Sequence, residues 1–136
     1  ARGFACIPVP LERLLPPGGR ATMHIYDGSS MRVIRHAQIR GNGTFGQVVF
    51  DEEAMAARRF ALHPLGARVR VLSMSPSTHI DKFGGPSASM MVEVMGVGIF
   101  EPREVLSKMP FMRVEGSDEA FALPEVDAPS PVDTSA

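Results

Sequence analysis

The sequence predicts a mainly β domain with one or two short helices, of the α+β class, and three observations predict it. Short runs rich in β-branched, aromatic or alternating residues recur at 21–26, 44–50, 66–74 and 88–97. Proline and glycine clusters punctuate them, most firmly at Pro16-Pro17-Gly18-Gly19. One run alone, 31–40, carries its apolar residues at helical spacing.

Residues 4–9 are apolar and short, and Pro8 and Pro10 interrupt them. Proline brings no N–H to a ladder, so this segment reads as an edge strand at best. After the Pro-Gly turn, residues 21–26 read as a strand. Asp27, Ser29 and Ser30 each offer a side-chain oxygen to the open amides of a helix start. Met31, Ile34, Ala37 and Gln38 then form one face, and Gly41 is a natural stop. Arg32, Arg35, His36 and Arg40 fall elsewhere and read as a solvated face.

Residues 44–50 read as a strand. Residues 51–59 read as a short helix, acidic at its start and basic at its end, as the helix dipole favours. In 66–74, Val69 and Val71 point one way and Arg68 and Arg70 the other, the mark of a half-exposed strand. Residues 76–86, with Gly84-Gly85, read as a loop. Residues 88–97 form the strongest strand: Met90, Val92 and Val94 share one face, and Met91, Glu93 and Met95 share the other. Only Glu93 is charged, so both faces are expected to be largely covered. Residues 102–108 read as a turn or short helix, and 109–114 as a last strand.

A chain of 136 residues with 44% hydrophobic and 21% charged residues is long enough for one buried core. Its net charge is -1 and its pI about 6.5, so no net basic field draws it to nucleic acid. No apolar run approaches the ~20 residues of a membrane span, although peripheral attachment to a membrane complex stays open. Cys6 is the single cysteine, which leaves no internal disulfide and suits a reducing compartment; it reads as a small buried apolar group. The chain opens on Ala1 without an initiator Met, which suggests processing or trimming, and an organelle (plastid or mitochondrion) is set slightly ahead of the cytoplasm.

Candidate chemistry is sparse. Residues 41–48 spell a kinase-like glycine-rich loop that also contains G-x-G-x-x-G. A dinucleotide fingerprint must follow a strand and open a helix, whereas here a helix precedes and a strand follows. No Asp-Phe-Gly or His-Arg-Asp accompanies it. The four histidines (His24, His36, His63 and His79) form no i, i+3 or i, i+4 pair and have no cysteine beside them, so no metal and no cofactor is expected. His24 reads as a hydrogen-bonded structural residue. Ser107-Lys108 are adjacent and point apart, and no G-x-S-x-G elbow occurs, so no catalytic residue is assigned. Nine methionines are either ordinary core filling or the lining of an adaptable apolar groove.

Residues 124–136 change composition to a Pro/Ser/Asp-rich extended tail that cannot build a core. Pro124, Val126, Pro129, Pro131 and Val132 are its candidate partner-binding residues, expected to lie on a partner surface within a larger assembly.

Several motifs, in order, resemble the N-terminal domain family of Lon proteases. Ile7-Pro8-Val9-Pro10, Pro17-Gly18 and Met23-His24-Ile25-Tyr26-Asp27 look like that family's proline-bearing strand, its turn, and its Leu-His-Ile-Phe-Glu strand. Phe45-Gly46-Gln47-Val48-Val49 is similar to its Phe-Gly-Val-Val strand. Gly66-Ala67-Arg68-Val69 and Gly96-Val97-Gly98-Ile99-Phe100 are similar to two later strands. Gly28-Ser29-Ser30 stands where the family has Pro-Arg-Tyr, and Ile99 where it has arginine. The resemblance, over roughly residues 5–115, implies a PUA-like pseudo-barrel that recognises proteins, and the domain is set at residues 1–123, up to the composition change at Pro124. The family's ATPase and Ser-Lys protease lie in other domains, and with no Walker A sequence here the chain is not expected to be an enzyme. The expected function is a non-catalytic accessory or architectural subunit of a larger, for example plastid, complex. The alternative is a stand-alone module that recognises client proteins for a protease or ubiquitin ligase.

Overall fold

A computed structural model describes residues 3–56, 62–107 and 111–117. In chain order the elements are β1 (Phe4–Pro8), a single 3-10 turn (Leu11–Arg13), β2 (Arg20–Ile25), α1 (Gly28–Arg40), β3 (Thr44–Val48), α2 (Glu52–Ala56), β4 (Gly66–Ile80), β5 (Pro86–Ser107) and β6 (Met112–Ser117). They form one mixed sheet ordered β2-β5-β4-β3-β1-β6. β6 pairs with β1 and also with the far half of β5, which closes the sheet into a pseudo-barrel.

Asp27 caps α1 as its position predicts: its carboxylate accepts the Ser30 N–H at 2.9 Å. Gly41 ends the helix, with its N–H on the Ala37 and His36 carbonyls. The buried face is Ser30, Val33, Ile34 and Ala37, rotated from the expected one: Val33 is inside and Gln38 is exposed. α1 packs on β1 and β3, which set the rotation.

β3 separates two cores. Phe45 joins Ile25, Val33, Ile34, Val69 and Val92 on the helix side. Val48 joins Cys6, Phe100 and Val114 on the other. Two bulges route the long strands between these cores. Val69 pairs with Gly96 and Arg68 with Gly98, so Val97 is an extra residue. It turns the even side of β5 from the first core (Val92, Val94) to the second (Phe100). Leu72 is a second extra residue, between Val71↔Val94 and Ser73↔Glu93.

Four expectations are corrected. β1 is interior, flanked by β3 and β6, and not an edge. Pro8 is tolerated because β6 pairs only with Phe4, Ala5 and Cys6, so the strand is one-sided where the proline stands. Residues 76–80 are not loop but the end of β4, and only Asp81 to Gly85 form the turn. Residues 102–107 are neither turn nor helix but continue β5. The two faces of β5 are not equally covered: Val92 and Val94 are buried, Met91 and Met95 half-buried, and Glu93 exposed.

Candidate protein-interaction surface

Two features of the β2–β5–β4 end of the sheet are open to partners. The first is a groove of about 560 Å³ between β2 and the segment joining β1 to β2. Seven consecutive residues, 21–27, line one wall. Side chains alternate across a strand, so an unbroken run can meet one cavity only where that cavity faces the strand's edge. The opposite wall contains Pro8, Val9 and Pro10, then Leu14 and Leu15. Gln47 anchors this strap from below. It is 1% exposed, its Oε1 accepts the Leu15 N–H at 2.9 Å, and its Nε2 points at Met23 Sδ, 3.9 Å away. At the base, Gly18 and Gly19 join the Gly96 main chain through 2.8 Å hydrogen bonds.

The second feature is the arm formed by the β4–β5 hairpin beyond the barrel. β3 pairs with β4 only as far as Arg70, so from Ser73 onward β4 has β5 on one side alone. Below the Leu72 bulge, Met74, Pro76, Thr78 and Ile80 share one side of the ribbon, and Ser73, Ser75, Ser77 and His79 share the other. Met74 is 44%, Ile80 70% and Phe83 86% exposed. Asp81 holds the tip: its Oδ1 accepts the Phe83 and Gly85 N–H groups at 2.9 and 3.1 Å, and its Oδ2 the Ser87 hydroxyl at 3.1 Å. The Gly85 and Phe83 hydrogen bonds keep its pKa below the ordinary carboxylate value. Phe83 is therefore presented to solvent on a braced turn.

The polar side of the arm gathers rings that lie far apart in sequence. His24, Tyr26 and His79 stand with centroids 5.0 to 6.3 Å apart. His24 Nε2 and Ser89 Oγ are 2.6 Å apart, which matches the structural role expected of His24. A hydroxyl–imidazole pair needs a third group to orient the ring before it can act as nucleophile and base. Among the described residues no hydrogen bond reaches the other ring nitrogen of His24. His79 Nδ1 is buried without a hydrogen-bond partner. Neither Ser89 nor His79 was singled out by sequence, since only the β4–β5–β2 register brings them to His24.

The remaining candidates are structural. Cys6 is 1% exposed, and burial pushes its thiol up to about 12, so it is no nucleophile at neutral pH. Gly41, Asn42 and Gly43 run from the end of α1 into β3, with Asn42 and Gly43 at positive φ, and present no helix N-terminus to a phosphate. Arg68 lies over the Phe4 ring, 4.7 Å from its centroid, while Arg32, Arg35 and Arg40 are exposed on α1. Met23, Met31 and Met90 pack against the first core and Met112 against the second, so most methionines placed here are core filling. Met23 alone among these also lines the groove. No group of three metal-ligating side chains occurs among the described residues, and none of their helices is long and apolar enough to cross a membrane. Pro124, Val126, Pro129, Pro131 and Val132, with the whole of 118–136, lie outside the described residues.

No protein-family model and no curated protein matches the sequence. Solved structures do. A Lon N-terminal domain protein from Xanthomonas campestris superposes with a TM-score of 0.57 at 15% identity, over 86% of this chain and 59% of that one. The N-terminal domain of Lon protease from the Mycobacterium avium complex gives 0.58 at 16% identity, over 94% of this chain and 58% of that one. In its fold the chain is a Lon N-terminal-like domain, and it spans just under three fifths of the length of each of these two structures.

Proposed function

We propose that this domain is a non-catalytic module that binds other proteins through exposed apolar side chains. The observation that carries this reading is the braced arm: Ile80 and Phe83 sit at the end of a two-stranded ribbon, outside both cores. Large apolar side chains held in solvent in this way mark interaction sites. The Lon N-terminal-like fold supports the same reading, because the resemblance implies recognition of substrate proteins. The test is binding of a reduced, alkylated protein that cannot fold, followed by fluorescence anisotropy. The wild type binds it, and an Ile80→Ser, Phe83→Ser double variant binds at least five-fold more weakly at an unchanged thermal midpoint. Equal binding by the two proteins refutes the reading.

A second, finer reading is that of an accessory subunit fixed in a multi-subunit, organellar assembly. Its support is the composition of 124–136, in which Pro124, Val126, Pro129, Pro131 and Val132 would meet the partner and 1–123 would form the domain. It requires co-purification at fixed stoichiometry that is lost when 124–136 is deleted; a chain that purifies alone from its native source rules it out.

A further inference from the structure

Among the stretches of strand edge left without a partner strand among the described residues, those at the ends of β1, β4 and β2 are not treated alike. Just past β1, Val9 donates its N–H to Val48, so by alternation Pro8, the last residue of the strand, turns its nitrogen away from β3. On the arm, Pro76 stands where β3 no longer flanks β4. Proline on an open edge is a standard block against strand addition. Both of these edges carry it.

β2 carries none. Gly96 exchanges main-chain hydrogen bonds with Gly18 and Gly19. Alternation along β5 from Gly96 then directs Val94, Val92 and Met90 at Ala21, Met23 and Ile25. The N–H and C=O groups of Thr22 and His24 therefore point away from β5, into the groove. Both residues are exposed, and no charge, proline or bulge guards the edge between Ala21 and Ile25. What complements such an edge is another extended main chain. The strap across the groove, which presents Val9, Leu14 and Leu15 together with Glu12 and Arg13, would meet its side chains.

We propose that the free edge of β2 takes up an extended segment of another protein as an added strand, paired through the main chain of Thr22 and His24. This rests on the protein-binding reading above and adds to the apolar contact of the arm a second, main-chain site.

The probe is the peptide Lys-Val-Thr-Val-Thr-Val-Lys, titrated into the ¹⁵N-labelled full chain. The expected result is a shift and slowed exchange of the Thr22 and His24 amides. A peptide N-methylated at alternate residues should bind at least ten-fold more weakly. Thr22→Ala should retain binding, because the contact is main-chain, whereas Thr22→Pro should lose it. Among the described residues the Thr22 N–H serves no intramolecular ladder, so that variant should fold, and the N-methylated peptide tests the same contact on the wild type. Equal affinity for the two peptides, no binding of either, or shifts confined to Ile80–Gly85 overturns the proposal. Shifts of Thr22 and His24 that appear on concentrating the protein alone assign the edge to a second copy and overturn it as well. The alkylated-protein assay on Thr22→Pro separates the two readings: retained binding there leaves the module reading standing and removes the strand-addition site.

Discussion

Gln47→Met tests whether a single buried amide holds the strap over the groove. Methionine matches glutamine in length and keeps the contact with Met23, so the change opens almost no cavity. What it removes is the acceptor 2.9 Å from the Leu15 N–H, in a bond buried at both ends. A buried donor left without a partner costs about 1–3 kcal/mol. Part of this is offset, because the glutamine Nε2 has only a sulfur 3.9 Å away as partner, and its own desolvation is relieved. The net expectation is a loss of about 1–2 kcal/mol. At roughly 4 °C per kcal/mol for a domain of this size, the thermal midpoint falls by about 4–8 °C. Urea unfolding monitored by circular dichroism gives the free energy at an unchanged m value. Hydrogen exchange gives the location, since Leu15 should exchange faster while Val69 and Val92 follow only the global loss. An unchanged midpoint with Leu15 still protected would refute the assignment of Gln47 as the anchor.

Three other outcomes follow from the same geometry. At Gly46 an added Cβ would stand 2.6 Å from Cys6 Sγ and 2.8 Å from the Phe4 ring, so Gly46→Ala should cost about 1–3 kcal/mol in thermal unfolding; a gain in stability would contradict this packing. Asp27→Ala removes the α1 cap and should cost about 1 kcal/mol by urea titration, with Asp27→Asn recovering most of it. Because the folded pKa of Asp81 is depressed, its contribution to the tip is present above the unfolded carboxylate pKa and is lost as pH falls through the folded value. The protection of the Phe83 and Gly85 amides relative to their intrinsic exchange rates should fall in acid in the wild type and be low at every pH in Asp81→Ala.

The elements announced by local chemistry were legible in the sequence. Asp27 and Gly41 mark the ends of α1, and the β-branched run at 44–50 contains β3. Proline misled wherever pairing was one-sided. Pro76 and Pro102 signal loops in isolation, but Pro76 lies on a segment that β3 does not flank, and Pro102 sits at a register shift against β6. Val33 was missed because its burial depends on where β1 and β3 meet the helix. The even-side alternation of β5 was visible, but its division between two cores depends on the bulge at Val97. His24 and Met23 were noticed as motif residues; that their strand has an open edge is a property of topology, which spacing does not encode.

The pairing of β1 with β6 bears on how the domain is made. Phe4 finds its antiparallel partner in Val114, with nearly the whole described chain between them. On a ribosome, β1 emerges early and must wait for β6 before its Phe4–Cys6 edge is satisfied. Until then, the second core lacks Val114 and Phe100 lacks its cover. Closure is thus the non-local, slow step. Nascent chains stalled before residue 112 should present an unsealed core to chaperones, while the α1-side core, whose buried residues run from Ala5 to Val94, can already be in place.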